Sequence, residues 1–284
     1  HIIDAYTELH RNSVEIPDED TDKLCGAARK AGAYVVIGVN EKEGGTLYNT
    51  ILYIGKDGRI LGRHRKLMSI DSEKCIWGMG NSDDLKVINT ELGNLGGFFC
   101  YEHHLTLAKY AMYKKGEQIH AGLWAGHGFV KPTMDFASRQ YAFEGQVFVI
   151  VSSGYMNESM ISDQFPLKNH TIWDFPGGSG IINPRGEYLA GPVYDKEDIV
   201  YAEIDPQQIL RAKAVIDSVG HFSRPDILNL DIDENGSHTG LQRSGESRLA
   251  EVSDLRNEVE TLMKQLDAQR AVIEEIKSRL SEYE

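Results

Sequence analysis

Long apolar runs, cysteine and clustered positive charge are all scarce in this 284-residue sequence. Each shortage removes a class of protein. The densest apolar stretch, Val147–Val151, is strand-sized, far short of the roughly 20 residues a membrane span needs. Only three cysteines occur, Cys25, Cys75 and Cys100, at wide and irregular spacing. They make no disulfide framework, and a reducing, cytoplasmic setting is the expectation. Lys and Arg number 30 against 43 Asp and Glu, a formal net charge of −13. The compact basic run, Arg59–Lys66, is too short for a nucleic-acid or anionic-membrane surface, so neither partner is expected.

Several chemical motifs are missing too. There is no HExxH, no CxxC and no Cys/His pairing at zinc spacing, so no metal is expected. The adjacent His103 and His104 would point about 100° apart on a helix, unsuited to sharing an ion. No GxGxxG or GxxxxGK[ST] loop indicates a nucleotide, and no cofactor is expected. The absence of GxSxG removes the usual serine-hydrolase elbow.

What is present alternates. Residues 18–31 read as a helix capped by Asp18 or Asp20, with Leu24, Ala27, Ala28 and Ala31 on one face. "YVVIGV" (34–39) reads as a buried strand, and 48–61 as a hairpin turning at Lys56-Asp57-Gly58. Residues 85–90 and 95–100 read as a second strand pair, 105–115 as a helix stopped by Gly116, and 118–126 as a strand. A helix over 133–145, a strand over 146–153 and a hairpin over 177–192 complete the pattern. Such interleaving predicts a layered α/β domain over residues 1–230.

The composition then changes. Residues 231–248 are polar and rich in Gly and Ser, and read as a linker. In 249–284, Val252, Leu255, Val259, Leu262, Leu266, Gln269, Ile273, Ile276, Leu280 and Tyr283 alternate three and four apart. That is an a/d heptad seam, which predicts a coiled coil and a homo-oligomer, with Gln269 as a polar d residue that helps set register. A single amphipathic helix docked on the domain would show a similar stripe.

Within "LGGFFCYEHHLTLAKY" (95–110), Cys100 ends a strand-like run just before a helical pattern. Backbone N–H groups of that turn could face its sulfur, lowering the thiol pKa and cradling an anion. Taken alone, a strand-end cysteine is as well explained as a core thiol. Lys66 follows the first hairpin, Glu73 lies seven residues on, and Glu102 two past Cys100. A lysine near a thiolate stabilises it, and carboxylates serve acid–base chemistry. A basic surface turn and ordinary ion pairs would account for the same residues.

Together, "GRHRKLMSIDSEKCIWGMG", "LGNLGGFFCYEHHLTLAKYAMYKKGEQIHAGLW", "YAFEGQVFVIVSSGY", "GGSGIINPRGEYLAGP" and "AKAVIDSVGHFSRPDIL" follow one another in order. The chain resembles, over residues 1 to about 230, the nitrilase branch of the carbon–nitrogen hydrolase superfamily. The resemblance implies a four-layer α-β-β-α sandwich. It also implies a nitrile or amide substrate attacked by a cysteine through a thioimidate and then a thioester. Carried over by position, Cys100 is the nucleophile, Lys66 the stabilising cation and Glu73 a support for the lysine. Glu102 and Glu144 match structural positions. Tyr101, which stands where the family usually has Trp, is expected at the substrate with His103 and Trp124. The family's general-base glutamate lies in a Pro-Glu context well ahead of the lysine, whereas Glu8, Glu15 and Glu19 precede Lys66 in other contexts. The sequence, which begins at His1, is therefore expected to be N-terminally incomplete, without the sandwich's first strand and helix, and weakly active or inactive alone. Amidase- or carbamoylase-like hydrolysis, and a non-catalytic assembly role through the coiled coil, are the alternatives.

Overall fold

In the computed structural model, residues 2–233 are described, apart from 127, 166–167 and 169–173. The heptad tail and nearly all of the polar linker lie outside the described residues.

Helix α1 (Ile2–Arg11) leads to α2 (Glu19–Ala31). Asp18 caps α2: its carboxylate accepts from the N–H groups of Asp20 and Thr21, and the Thr21 hydroxyl accepts from Asp18 N–H. Gly32, at φ 62°, ends the helix in the left-handed region that favours glycine. The buried face is Thr21, Cys25 and Ala28 rather than the alanine-rich face expected. Cys25 is therefore a core thiol.

Strands β1 (Val35–Glu43), β2 (Thr46–Ile54) and β3 (Ile60–Arg65) form an antiparallel sheet in that order. Alternation along β2 gives this sheet two apolar faces. Leu52 and Ile54 pack with Cys25 and Ala28 of α2. Tyr53 and Gly38 look toward a second sheet: a Cβ on Gly38 would lie 2.9 Å from Leu123, and one on Gly97 3.2 Å from the Tyr53 hydroxyl.

That second sheet comprises β4 (Ile88–Thr90), β5 (Gly93–Phe99), β6 (Ile119–Trp124), β7 (Phe148–Ser153), β9 (Phe175–Ile182) and β10 (Tyr188–Tyr194), with the short β8 (Tyr155–Met156) paired to β9. Strands β5, β6 and β7 are parallel, in register from Leu95 opposite Ile119 and Phe148 opposite Ile119. Parallel neighbours need crossovers, and the connections here are α3 (Thr106–Lys114) and α4 (Lys131–Gly145). Ala111, Met112, Tyr141 and Ala142 of those helices pack with Phe98, Val149 and Val151 in the main core. Parallel β5, β6 and β7 deliver their carboxyl ends to one place, the usual position for a site in α/β sheets. Helix α5 (Gln207–Lys213) follows β10. Among the described residues no helix is long and apolar enough to cross a membrane.

One local expectation changes. Strand β5 does not pass straight into a helix: a 3₁₀ turn, Cys100–His104, intervenes before α3. The Glu102 side chain folds back to accept from Phe99 N–H at 2.7 Å, which closes the turn tightly.

Candidate active site

A cavity of about 450 Å³ lies beyond the ends of β5, β6 and β7. Cys100, Lys66 and Glu73 line it together with Val36, Ile37, Val39, Phe99 and Leu123 as apolar wall, and Asn40, Asn49 and Ser152 as polar points. The first hairpin supplies Lys66, which sits just past β3 with its side chain almost wholly buried. Its backbone is fixed by Lys66 N–H to the Asn49 carbonyl and by Gly80 N–H to its own carbonyl.

Lys66 Nζ lies 3.7 Å from Cys100 Sγ and donates to both Glu73 oxygens, at 2.8 and 2.6 Å. Glu73 belongs to a 3₁₀ turn, Asp71–Cys75, entered through Asp71 at φ 47°. Its Oε2 also accepts from Ile70 N–H at 2.9 Å. The three residues expected from the sequence are thus brought together from segments 34 residues apart. Burial pushes the Cys100 thiol up; the Lys66 ammonium and the Tyr101 N–H at the sulfur pull it down, and the balance leaves it above the ordinary thiol value. An attacking thiolate at neutral pH therefore needs a proton acceptor when substrate binds. Among the described residues, Glu73 is the carboxylate that lines the cavity. Glu8, Glu15 and Glu19 are exposed on or beside α1 and α2, away from its wall.

Glu102 does something different. It is fully buried, and its oxygens accept from Phe99 N–H, from Leu67 N–H at 2.7 Å, and from His64 Nε2 at 3.0 Å. It therefore ties the Lys66 segment to the Cys100 segment. His64 Nδ1 faces the Asp84 carbonyl at 2.7 Å, so both ring nitrogens meet acceptors. Burial pushes the His64 imidazole down, but the Glu102 carboxylate and its hydrogen bond outweigh that and raise it above the ordinary value. Glu144 Oε2 accepts from Lys109 Nζ at 2.7 Å, between α4 and α3.

Of the three expected substrate contacts, Trp124 borders the cavity and Tyr101 and His103 do not. Tyr101 is 39% exposed, tilted against His104 and outside the cavity lining. His103 is buried and turned inward, its Nδ1 at 2.8 Å from the Cys100 carbonyl. Trp124 borders the cavity, but its ring stacks on His103 at 4.9 Å within the core. Strand alternation explains this: His120 and Trp124 share the α3–α4 face of β6, while Leu123 points at the other sheet. The apolar wall from β1 and Leu123 was legible only as strand. Nothing in spacing says which face of a strand borders a cavity, and β1, expected to be buried, is only half-buried where it lines this one.

The profile of the family described as carbon-nitrogen hydrolase matches residues 2–214. The chain belongs to that carbon-nitrogen hydrolase family. It is a hydrolase acting on carbon–nitrogen bonds, of the nitrilase kind. Nitrilase 1 of Arabidopsis thaliana is 36% identical over 82% of this chain and 68% of its own length. A nitrilase of Bacillus sp. strain OxB-1 is 39% identical, covering 80% and 70%. An aliphatic nitrilase of Rhodococcus rhodochrous is 37% identical over 81% of this chain, which spans 65% of that protein. A carbon-nitrogen hydrolase from Helicobacter pylori and a Saccharomyces cerevisiae member of branch 10 of the nitrilase superfamily share the fold, each with a TM-score of 0.62 at 22% identity. They cover 73% and 74% of this chain, and 74% and 75% of their own.

Proposed function

We propose that this carbon-nitrogen hydrolase converts a small nitrile to a carboxylic acid and ammonia with Cys100 as nucleophile. The observation that carries the reading is the Lys66–Cys100 approach of 3.7 Å inside a cavity walled by apolar side chains. Sγ attacks the nitrile carbon, forming a C–S bond while the thiol proton passes to the nitrile nitrogen. Lys66 faces the charge that develops there. Water adds to the thioimidate and ammonia leaves, giving a thioester. A second water releases the acid and restores the thiol. Glu73, held on Lys66, orients the ammonium and, as the carboxylate that lines the cavity among the described residues, relays these protons. Burial of the thiol makes the expected turnover slow. The relatives' names favour nitriles over amides as substrate.

The scaffold we infer is an α-β-β-α sandwich, a layering supported by the inter-sheet approaches at Gly38 and Gly97. Self-association is part of the same reading: Ile199, Tyr201, Val215, Phe222 and Leu228 are exposed apolar side chains, and the heptad stretch 249–284 offers a second means. Deleting 249–284 is expected to lower the oligomer size measured by light scattering.

Ammonia release from an aliphatic and an aromatic nitrile tests the activity. Wild-type chain should release it and Cys100→Ala should not; equal release by the two would overturn the assignment.

A further inference from the structure

Behind Cys100, away from the cavity, runs a chain of buried polar groups that the reaction above does not use. His103 Nδ1 lies 2.8 Å from the Cys100 carbonyl, and His103 Nε2 lies 3.1 Å from His120 Nε2. His120 Nδ1 lies 2.7 Å from Glu117 Oε1, and the Tyr141 hydroxyl donates to Glu117 Oε2 at 2.6 Å. All four side chains are almost completely buried.

Proton bookkeeping orders the chain. A carbonyl only accepts, so His103 carries its proton on Nδ1. Burial pushes His103 well below the ordinary imidazole value, with His120 adding to it, so the ring is neutral. Its Nε2 is then an acceptor, and His120 Nε2 must donate. A second proton is shared between His120 Nδ1 and Glu117. Each link fixes the tautomer of the next.

The end of this chain meets the sulfur through a single peptide unit. The Cys100 carbonyl that His103 holds and the Tyr101 N–H that helps pull the Cys100 thiol down belong to the same amide plane. Gripping the oxygen fixes where the hydrogen points, and a donor on the oxygen polarises the N–H.

We propose that His103 is a positioning residue that acts through the Cys100–Tyr101 peptide, holding its N–H on the sulfur, with His120 and Glu117 fixing the His103 tautomer. The inference rests on reading Cys100 as the nucleophile. The thiol also faces Lys66, Glu73 and Glu102, and His103 also faces His104 and Lys109. Those charges stay constant across the comparison below.

Two substitutions separate positioning from packing. In His103→Asn the amide nitrogen takes the place of Nδ1 and keeps the carbonyl contact. In His103→Gln the amide oxygen takes the place of Nε2 and accepts from His120 Nε2–H, keeping the His120 contact and more of the volume but losing the carbonyl. The readout is the pH profile of Cys100 alkylation by iodoacetamide, located by peptide mass spectrometry. The midpoint should rise by about one pH unit in His103→Gln, a tenfold loss of thiolate at fixed pH, and stay near wild type in His103→Asn. Two variants titrating together would overturn the proposal. Wild-type chain in which Cys100 is not alkylated selectively would instead sink the nucleophile reading, and this inference with it. An independent check needs no variant: ¹⁵N-histidine correlation spectra of the full chain should show His103 neutral with its proton on Nδ1. A proton on Nε2 would contradict the proposal whatever the variants do.

Discussion

Two glutamates flank the Cys100 thiol, and their surroundings set them apart. Glu102 is sequestered from water, with three donors on its two oxygens. Glu73 is held on Lys66, and its side chain stays 26% exposed and borders the cavity. A carboxylate saturated by N–H groups in the interior has nowhere to send a proton, so it acts as a fastener. A carboxylate at the cavity edge, held by the Lys66 ammonium and one backbone N–H but open on its cavity side, can exchange partners as charge moves. Sequence proximity suggests the reverse, since Glu102 stands two residues from Cys100 and Glu73 lies 27 away.

The largest expected effect comes from breaking the fastener. Glu102→Leu leaves the Phe99 and Leu67 N–H groups and His64 without their partner. Urea unfolding should show a loss of about 3–5 kcal/mol, and Cys100 alkylation should lose its site selectivity. Glu73→Gln should cost less stability, about 1–2 kcal/mol, because the amide oxygen still accepts from Lys66. Its effect on chemistry should split. The Glu73 charge raises the Cys100 thiol, so alkylation at neutral pH should quicken. Ammonia release should fall on the order of 10²-fold as Lys66 loses its orientation. Both rates rising together would place Glu73 with Glu102 as scaffold.

A smaller effect tests the charge on His64. This ring holds its proton more tightly folded than unfolded. Its contribution is therefore fully present below the unfolded value of about 6.5, and is lost as pH rises through the folded titration. The stability gap between wild type and His64→Gln should narrow as the pH of urea titrations rises from about 6 to about 9. A widening gap would mean a neutral ring. The smallest effect belongs to Tyr101→Ala. The exposed ring lies off the cavity, so turnover should change by no more than about twofold and stability by about 0.5 kcal/mol.

Much of this could be read from residue order. Alternation and turn chemistry placed β1 to β3, β5 to β7 and the β9–β10 hairpin within a few residues. The Asp18 cap was legible, as one of two candidates with Asp20, because end chemistry is local. Helices α1 and α5 were not read, since neither is closed by a glycine as α3 is by Gly116. Sheet order was invisible, because pairing β5 with β6 and β7 depends on how α3 and α4 pack. The block matches pointed to Cys100, Lys66 and Glu73 as a set. The inward turn of His103 was not legible, because a 3₁₀ turn replaces the expected strand-to-helix step and rotates every side chain from 100 to 104. Glu117, His120 and Tyr141 were passed over for a related reason: polar residues in an apolar strand and helix signal a buried network only once their faces are known to converge.

The central claim is that the sulfur of Cys100 becomes covalently joined to the substrate carbon. Rapid acid quench of enzyme mixed with nitrile, followed by peptide mass spectrometry, tests it directly. The account predicts an adduct on the peptide carrying Cys100 in the wild type and in Glu73→Gln, and none in Cys100→Ala. Ammonia release with no adduct at Cys100, or an adduct on Cys75 in its place, would contradict it.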